Sequence, residues 1–164
     1  PNVLLRDVDW NYIFPYERPL PPHRSIAQIS KETGKDPVEV FIDLALDKNL
    51  KLFFHSPNHN ESEDFILALI NHPNTGLTFS DAGAHVATAI NPVQSYLLGY
   101  WVRQRQAVTI EAAIRKITFD LAAFWQLKKR GMLREGYHAD VTIFDLNTIA
   151  PQLPQLREIG RAHV

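Results

Sequence analysis

A carboxylate in a loop of small residues is the feature of this sequence best suited to chemistry. Residues 78–86 read TFSDAGAHV, so Asp81 lies two residues beyond a short β-prone run at 76–79 and two residues before Gly83. A strand fixes the backbone of an aspartate at its end, and small neighbours let a ligand approach closely. Asp81 is therefore a candidate catalytic residue. Because aspartate also caps helices and begins turns, a structural role is the alternative.

Two histidines offer a second pattern. His55 and His59 are four residues apart, which is the spacing of two metal ligands on one helical face. Pro57 and Asn58 lie between them and favour a loop, in which nothing forces the two imidazoles together. The pattern alone therefore does not define a metal site, and we do not assign either histidine as a ligand.

Composition restricts the class of protein. The chain has 164 residues, 45% of them hydrophobic, and a net charge of −1, which is typical of one globular domain. The balanced charge favours neither a nucleic-acid nor a membrane partner, and no apolar run approaches the ~20 residues of a membrane helix. Without cysteine, the chain has no disulfide and no thiolate ligand. The oligomeric state and the compartment stay open, with the cytoplasm as the default expectation.

Hydrophobic periodicity and capping residues predict alternating helices and strands. Ser25 and Gln28 have the spacing of a capping box, and Asn60 is the predicted cap of a later helix. The predicted helices cover residues 26–33, 37–46, 61–72, 92–105, 110–117 and 120–127, and the predicted strands cover 50–54, 76–79 and 141–144. The order around the first two strands is that of a β-α-β unit, so we expect residues 50–54 and 76–79 to be neighbouring parallel strands.

The two ends of the sequence are unusual. It begins at Pro1 without an initiator Met or a signal-like segment, which predicts a fragment. Residues 159–164 read IGRAHV, which resembles the translation of a sequencing adapter and predicts an artefact at this end. His163 is therefore not counted as a ligand.

Five motifs together resemble the amidohydrolase superfamily, and in particular its N-acyl-D-amino-acid deacylase (D-aminoacylase) branch. They are SIAQI at 25–29, DPVEVFIDL at 36–44, FSDAGAHV at 79–86, YWVRQR at 100–105 and RGMLREGYHADVTIFD at 130–145. The last motif by itself indicates only an amidohydrolase, whereas the combination is more specific. The resemblance extends over about residues 4–157.

This resemblance implies an α/β fold, the C-terminal part of a metal-dependent (β/α)8 TIM-like barrel with the start of a small β-domain. Residues 1–130 would provide the last two barrel strands and their helices, residues 131–158 would begin the β-domain, and residues 159–164 would be the artefact. A barrel of this type needs about 250 residues. The chain is therefore expected to be a C-terminal fragment that is inactive by itself.

The resemblance also implies the roles of site residues. Asp81 would be the metal-associated general base, which takes a proton from the water bound to zinc and passes it to the leaving amine. Ser80 and Gly83 would shape its loop, and His85 would either contact the site or only pack. The other metal ligands, including a His-x-His pair that this sequence lacks, are expected upstream of Pro1.

The expected reaction is zinc-dependent hydrolysis of the amide bond of a small-molecule N-acyl-D-amino acid, giving a D-amino acid and a carboxylate. A hydantoinase-like or dihydroorotase-like enzyme that acts on cyclic amides is one alternative. A degenerate barrel that only binds a ligand or a partner is the other. The preferred side chain and the number of metal ions stay open.

Overall fold

A computed structural model describes residues 8–57, 62–78 and 93–153 of the chain. The chain divides into two units, one formed by residues 1–59 with 153–164 and the other by residues 60–152. Each unit has its own elements and its own buried side chains.

The first unit contains two helices and a minimal sheet. Its elements are a 3₁₀ helix (Trp10–Tyr12), strand β1 (Phe14–Pro15), helices α1 (Ile26–Thr33) and α2 (Pro37–Asp47), and strand β2 (Phe54–His55). The two strands are antiparallel, with Phe14 opposite His55 and Pro15 opposite Phe54. Each strand has only two residues, so the sheet by itself contributes little and must be held by packing around it.

Helix α1 has the ends that the sequence predicts. The Ser25 hydroxyl accepts a hydrogen bond from the Gln28 backbone N–H at 3.2 Å, and the Gln28 side chain accepts one from the Ser25 N–H at 2.9 Å. At the other end, Gly34 has a φ of 71°, the left-handed conformation that glycine adopts without a steric penalty. Asp36 then caps α2 through a hydrogen bond from the Val38 N–H at 2.8 Å. These three sequence predictions are confirmed.

The core of the first unit lies between α1 and α2. Ile26, Ile29 and Val40 are buried, and the partly buried side chains packed on them include Trp10, Ile13, Phe41, Leu44 and Phe54. The rings of Phe41 and Phe54 have centroids 4.1 Å apart. Apolar packing of α2 against β2 therefore holds the short sheet in place.

The second unit is helical in its described residues. Its elements are α3 (Glu63–Asn71), α4 (Val93–Tyr96), which continues directly as a π-helix (Leu97–Gln104), α5 (Ile110–Ile117) and α6 (Phe119–Phe124). Six consecutive π-helix residues, 97–102, are buried, and Ala113 of α5 and Ala122 of α6 are buried as well. The unit is therefore organised around the segment 93–104. None of the described helices is long and apolar enough to cross a membrane.

The predicted strands are wrong in most of their described residues. Within 50–54 only Phe54 belongs to a strand, and it pairs antiparallel with β1. Residues 76–78 and 141–144 form no strand, and the described residues give them no neighbouring backbone to pair with. A strand exists only as part of a hydrogen-bonded ladder, so a β-prone run without a partner stays irregular. The parallel pair is accordingly not present in the described part of the chain.

Two helix ends also differ from the predictions. Ser62 occupies the N-cap position of helix α3, where the sequence predicts Asn60, but the Ser62 side chain makes no capping hydrogen bond. Asn60 itself lies outside the described residues. Helix α6 begins at Phe119 and ends at Phe124, three residues earlier than predicted. The boundary predicted at residue 130 stays a prediction, and residues 159–164 are not described.

The two serine caps provide a matched test. Replacing Ser25 by Ala removes the acceptor for the Gln28 N–H, and we expect a loss of about 1 kcal/mol in the free energy of unfolding. That corresponds to a fall in Tm of ~2–4 °C for a chain of this size. Ser62→Ala removes no capping hydrogen bond and should leave Tm nearly unchanged. Equal thermal shifts of the two variants by circular dichroism would contradict the assignment of the Ser25 cap.

Candidate functional site

The predicted catalytic loop lies outside the described residues. Asp81, Ser80, Gly83 and His85 all fall between Thr78 and Val93, where the structure describes nothing, and their roles stay predictions. The described residues do define the two ends of this loop, which we call its stems: residues 72–78 before it and residues 93–96 after it.

The first stem begins where α3 ends. The Lys116 ammonium of α5 donates a hydrogen bond to the His72 carbonyl at 2.8 Å, although Lys116 is only 8% exposed. A cation at this position is favourable because the last carbonyls of a helix lack partners and carry partial negative charge. The Thr75 hydroxyl contacts the same carbonyl at 2.9 Å, and the Asn74 N–H donates to the His72 ring at 3.1 Å.

Farther along the first stem, two contacts fix the chain just before the loop. A Cβ on Gly76 would lie 3.0 Å from a methyl carbon of Leu121, so a larger residue would have to shift the Leu121 side chain. The Gln94 carboxamide donates a hydrogen bond to the Thr78 carbonyl at 2.9 Å. Because Gln94 belongs to α4, this hydrogen bond joins one stem directly to the other.

The helix that follows the second stem is anchored at its far end. The Tyr100 hydroxyl donates a hydrogen bond to one oxygen of Glu63, and Arg105 forms an ion pair with the other at 3.0 Å. Burial, with the nearby Glu63 carboxylate, raises the pKa of Tyr100 to about 12. The phenol therefore stays protonated and keeps donating over the physiological pH range.

The same helix also holds the C-terminal part of the unit. The Arg103 guanidinium donates to the carbonyls of Leu146 and Ile149, each at 2.8 Å. The sequence predicts an α-helix here, whereas the structure has π-type hydrogen bonding, for instance from the Arg105 N–H to the Tyr100 carbonyl at 2.8 Å. π-Helical segments are rare and are found frequently at functional sites.

A cleft of about 520 Å³ opens beside the second stem. Gln94 and Ser95 lie at its α4 side, and most of the remaining lining is apolar. The lining side chains include Leu98, Ile114, Ile117, Met132, Val141, Phe144 and Ile149, together with His138 and Asp140. This volume lies within the range of small-molecule sites. The lining residues do not include three that could hold a metal ion together.

His55 lies in the first unit, in an aromatic environment. Its ring is 6.3 Å from that of Phe14 and 6.0 Å from that of Tyr16, and His23 stands at similar distances, 6.4 and 5.8 Å, from the same two rings. His59 is not described. No group of three His, Cys, Asp or Glu among the described residues could hold a metal ion. The described residues therefore do not fit a zinc site.

Burial lowers the pKa of both histidines. For His55 burial is the cause, and for His23 burial is joined by the positive charges of His55 and Arg18. Residue spacing carries no signal for this pair, since His23 and His55 come near the same two rings only in the folded unit. Gln94 of the second stem and Lys116 of α5 were missed for the same reason, because each donates a hydrogen bond to a backbone carbonyl distant in sequence.

Comparison with known proteins defines the family. The model of the amidohydrolase family matches residues 24–164. An N-acyl-D-aspartate deacylase from Alcaligenes xylosoxydans xylosoxydans is 31% identical over 121 residues, which are 69% of this chain and 24% of that protein. An N-acyl-D-glutamate deacylase from the same organism is 38% identical over 72 residues, 42% of this chain and 15% of that protein. No solved structure matches the chain.

The chain belongs to the amidohydrolase superfamily. Within it, the two relatives support the D-aminoacylase branch that the motifs predict. The matched part of the chain spans about a quarter or less of the length of these relatives. The family implies a TIM-barrel fold, whereas the described residues contain helices and a two-stranded sheet.

The histidine pair predicts how the stability of the chain depends on pH. A histidine whose pKa is lowered by folding binds fewer protons in the folded than in the unfolded chain. The free energy of unfolding is therefore highest above the ordinary histidine pKa of 6.5, and it decreases as the pH falls through the pKa of the folded state. We therefore expect the urea midpoint to fall between roughly pH 7 and pH 5. His55→Gln should flatten this dependence, whereas His138→Gln, at an exposed position, should not. An unchanged slope in His55→Gln would show that the pair is not responsible.

Proposed function

We propose that the enzyme to which this chain belongs hydrolyses the amide bond of N-acyl-D-amino acids, giving a D-amino acid and a carboxylate. The observation that carries the proposal is the family match over residues 24–164, together with two relatives that are both N-acyl-D-amino-acid deacylases. Both relatives are named for acidic amino acids. N-acyl-D-aspartate and N-acyl-D-glutamate are therefore the first substrates to test.

We assign the role of general base to Asp81. Amide hydrolysis requires a group that removes a proton from the attacking water and a group that protonates the departing amine, and one carboxylate within hydrogen-bond reach can do both in succession. Ser80 and Gly83 would shape the loop around this carboxylate. For His85, a contact with the site and simple packing stay equal alternatives. The resemblance of the motif FSDAGAHV to the D-aminoacylase branch supports these assignments.

The proposed place of the chain in the whole enzyme is the C-terminal part of the barrel and the start of a small β-domain. Exposed apolar side chains support this proposal. Val141 is 59% exposed and Ile143 is 93% exposed, although both lie in a β-prone run. A strand of this composition is normally covered on both faces, so residues 141–144 have the character of a strand that pairs and packs within a larger β-structure.

Zinc is the proposed metal of the whole enzyme. It would supply a Lewis acid for the amide carbonyl and lower the pKa of a bound water. The described residues do not fit such a site, since they contain no group of three possible ligands. Because the matched part of the chain covers only 24% of the N-acyl-D-aspartate deacylase, we propose that Asp81 contributes to this site and that the other ligands come from parts of the enzyme outside this chain.

Substrate selectivity tests the proposed reaction directly. The purified full-length enzyme should release amino acid from N-acetyl-D-aspartate or N-acetyl-D-glutamate and act at least ~100-fold more slowly on the L-enantiomers, as expected of a site that places both the side chain and the scissile amide. The assay measures free amine. Turnover of hydantoins or dihydroorotate without deacylation would indicate a cyclic amidase, and the absence of turnover with every substrate would indicate a degenerate barrel.

Replacing Asp81 by Asn tests the general base. The change is nearly isosteric but removes proton affinity, so kcat of the full-length enzyme should fall by roughly 100-fold or more while the circular dichroism spectrum is retained. Asp120→Asn is a control, because Asp120 lies on α6 and forms only an exposed ion pair with Arg115. Near-normal turnover in Asp81→Asn would remove Asp81 from the mechanism.

The isolated 164-residue chain provides a further test. We expect it to show no deacylase activity and only weak zinc binding, because a stable zinc site needs three or four ligands and its described residues do not assemble them. Isothermal titration with zinc and the free-amine assay measure the two properties. Zinc-dependent hydrolysis by this chain would overturn the proposal that its metal ligands lie elsewhere.

A further inference from the structure

Gln94 occupies a particular position relative to the loop that contains Asp81. Its carboxamide donates a hydrogen bond to the Thr78 carbonyl at 2.9 Å, across sixteen positions of sequence. Thr78 is the last described residue before the loop, and Gln94 lies in the first turn of the helix that follows it.

Two other contacts on the first stem lie farther from the loop than this hydrogen bond. Lys116 holds the His72 carbonyl, and Leu121 packs against Gly76, so both act earlier on the first stem. On the other side, α4 continues into the buried π-helix, which is anchored through Tyr100 and Glu63. Gln94 therefore connects the end of the first stem to the most deeply buried helix of the unit.

The consequence for catalysis follows from chain geometry. Asp81 is three residues beyond Thr78, and three residues span at most ~10 Å. A displacement of the Thr78 carbonyl would therefore also displace the residues that immediately follow it in sequence. A misplacement of about 1 Å in a reacting group can reduce turnover up to a hundredfold, since catalysis depends on a narrow range of distances.

We propose that Gln94 is a positioning residue for the deacylase reaction. Through its hydrogen bond to the Thr78 carbonyl, Gln94 fixes the point at which the chain enters the Asp81 loop. This inference rests on the proposed function of Asp81. Gln94 itself is exposed and contributes through hydrogen bonding and not through burial, so its replacement should leave the folded state intact.

The test compares two replacements in the full-length enzyme. Gln94→Met keeps the length of the side chain and removes the donor, and it should lower kcat roughly tenfold while KM for N-acetyl-D-aspartate stays within about twofold. In Gln94→Arg, the Nε–H donor is the same number of bonds from the backbone as the amide nitrogen of Gln94. This variant should therefore restore most of the turnover. Gln152→Met, at another exposed glutamine, is the matched control and should behave like the unmodified enzyme.

The outcomes separate this inference from the proposed function. Low kcat in Gln94→Met with recovery in Gln94→Arg, and an unchanged Tm in both variants, supports the positioning role. Turnover of Gln94→Met equal to that of Gln152→Met, or a Gln94→Arg variant as slow as Gln94→Met, overturns it. If Gln94→Met is unaffected while Asp81→Asn is inactive, only the positioning role fails. If Asp81→Asn is active, the proposed function fails independently.

Discussion

The burial of residues 97–102 in one continuous helical segment is the constraint on which the second unit depends. Six consecutive buried residues place side chains on every side of the helix, so neighbouring elements must pack around it and its polar groups must find partners. These partners are found near its C-terminal end, where Tyr100 and Arg105 share the Glu63 carboxylate and Arg103 donates to the carbonyls of Leu146 and Ile149. Since hydrogen bonds to charged groups are worth about 1.5–3 kcal/mol, these contacts fix the position of the helix along its axis. The hydrogen bond of Gln94 to the Thr78 carbonyl in turn ties the first stem of the Asp81 loop to this helix.

The first unit depends on a different interaction, the packing of α1 and α2 on the aromatic side chains that flank a sheet of two-residue strands. Two ladder positions are too few to hold a sheet in water, whereas stacked rings such as Phe41 and Phe54 remove much apolar surface from it. In the same unit, the rings of His23 and His55 both lie near those of Phe14 and Tyr16, and burial lowers the pKa of both imidazoles. This aromatic–histidine cluster is the basis of the acid sensitivity that we predict for the unit.

Large apolar side chains at the surface distinguish this chain from an ordinary single domain. Phe65 and Phe124 are each 73% exposed, and Leu133 is 83% exposed. Single exposed apolar residues are normal, but several large ones in segments of regular or β-prone sequence favour association with further protein surface. The chain matches only 24% of the length of the N-acyl-D-aspartate deacylase, and these side chains are candidates for contact with further protein surface.

The sequence by itself determined the features that act over a few residues. The Ser25 capping box, the Gly34 stop and the Asp36 cap depend only on neighbours within a turn, and each is present as predicted. The motifs likewise identified the superfamily and its branch without any knowledge of the fold, because they record residue types and spacing. Strand pairing depended on tertiary structure, because residues 50–54, 76–78 and 141–144 have β-prone composition but a ladder needs a second backbone. Tertiary structure also decided the π-type hydrogen bonding at 97–104. It likewise decided the hydrogen bond from Gln94 to Thr78 and the proximity of His23 to His55, since folding alone brings these groups near one another.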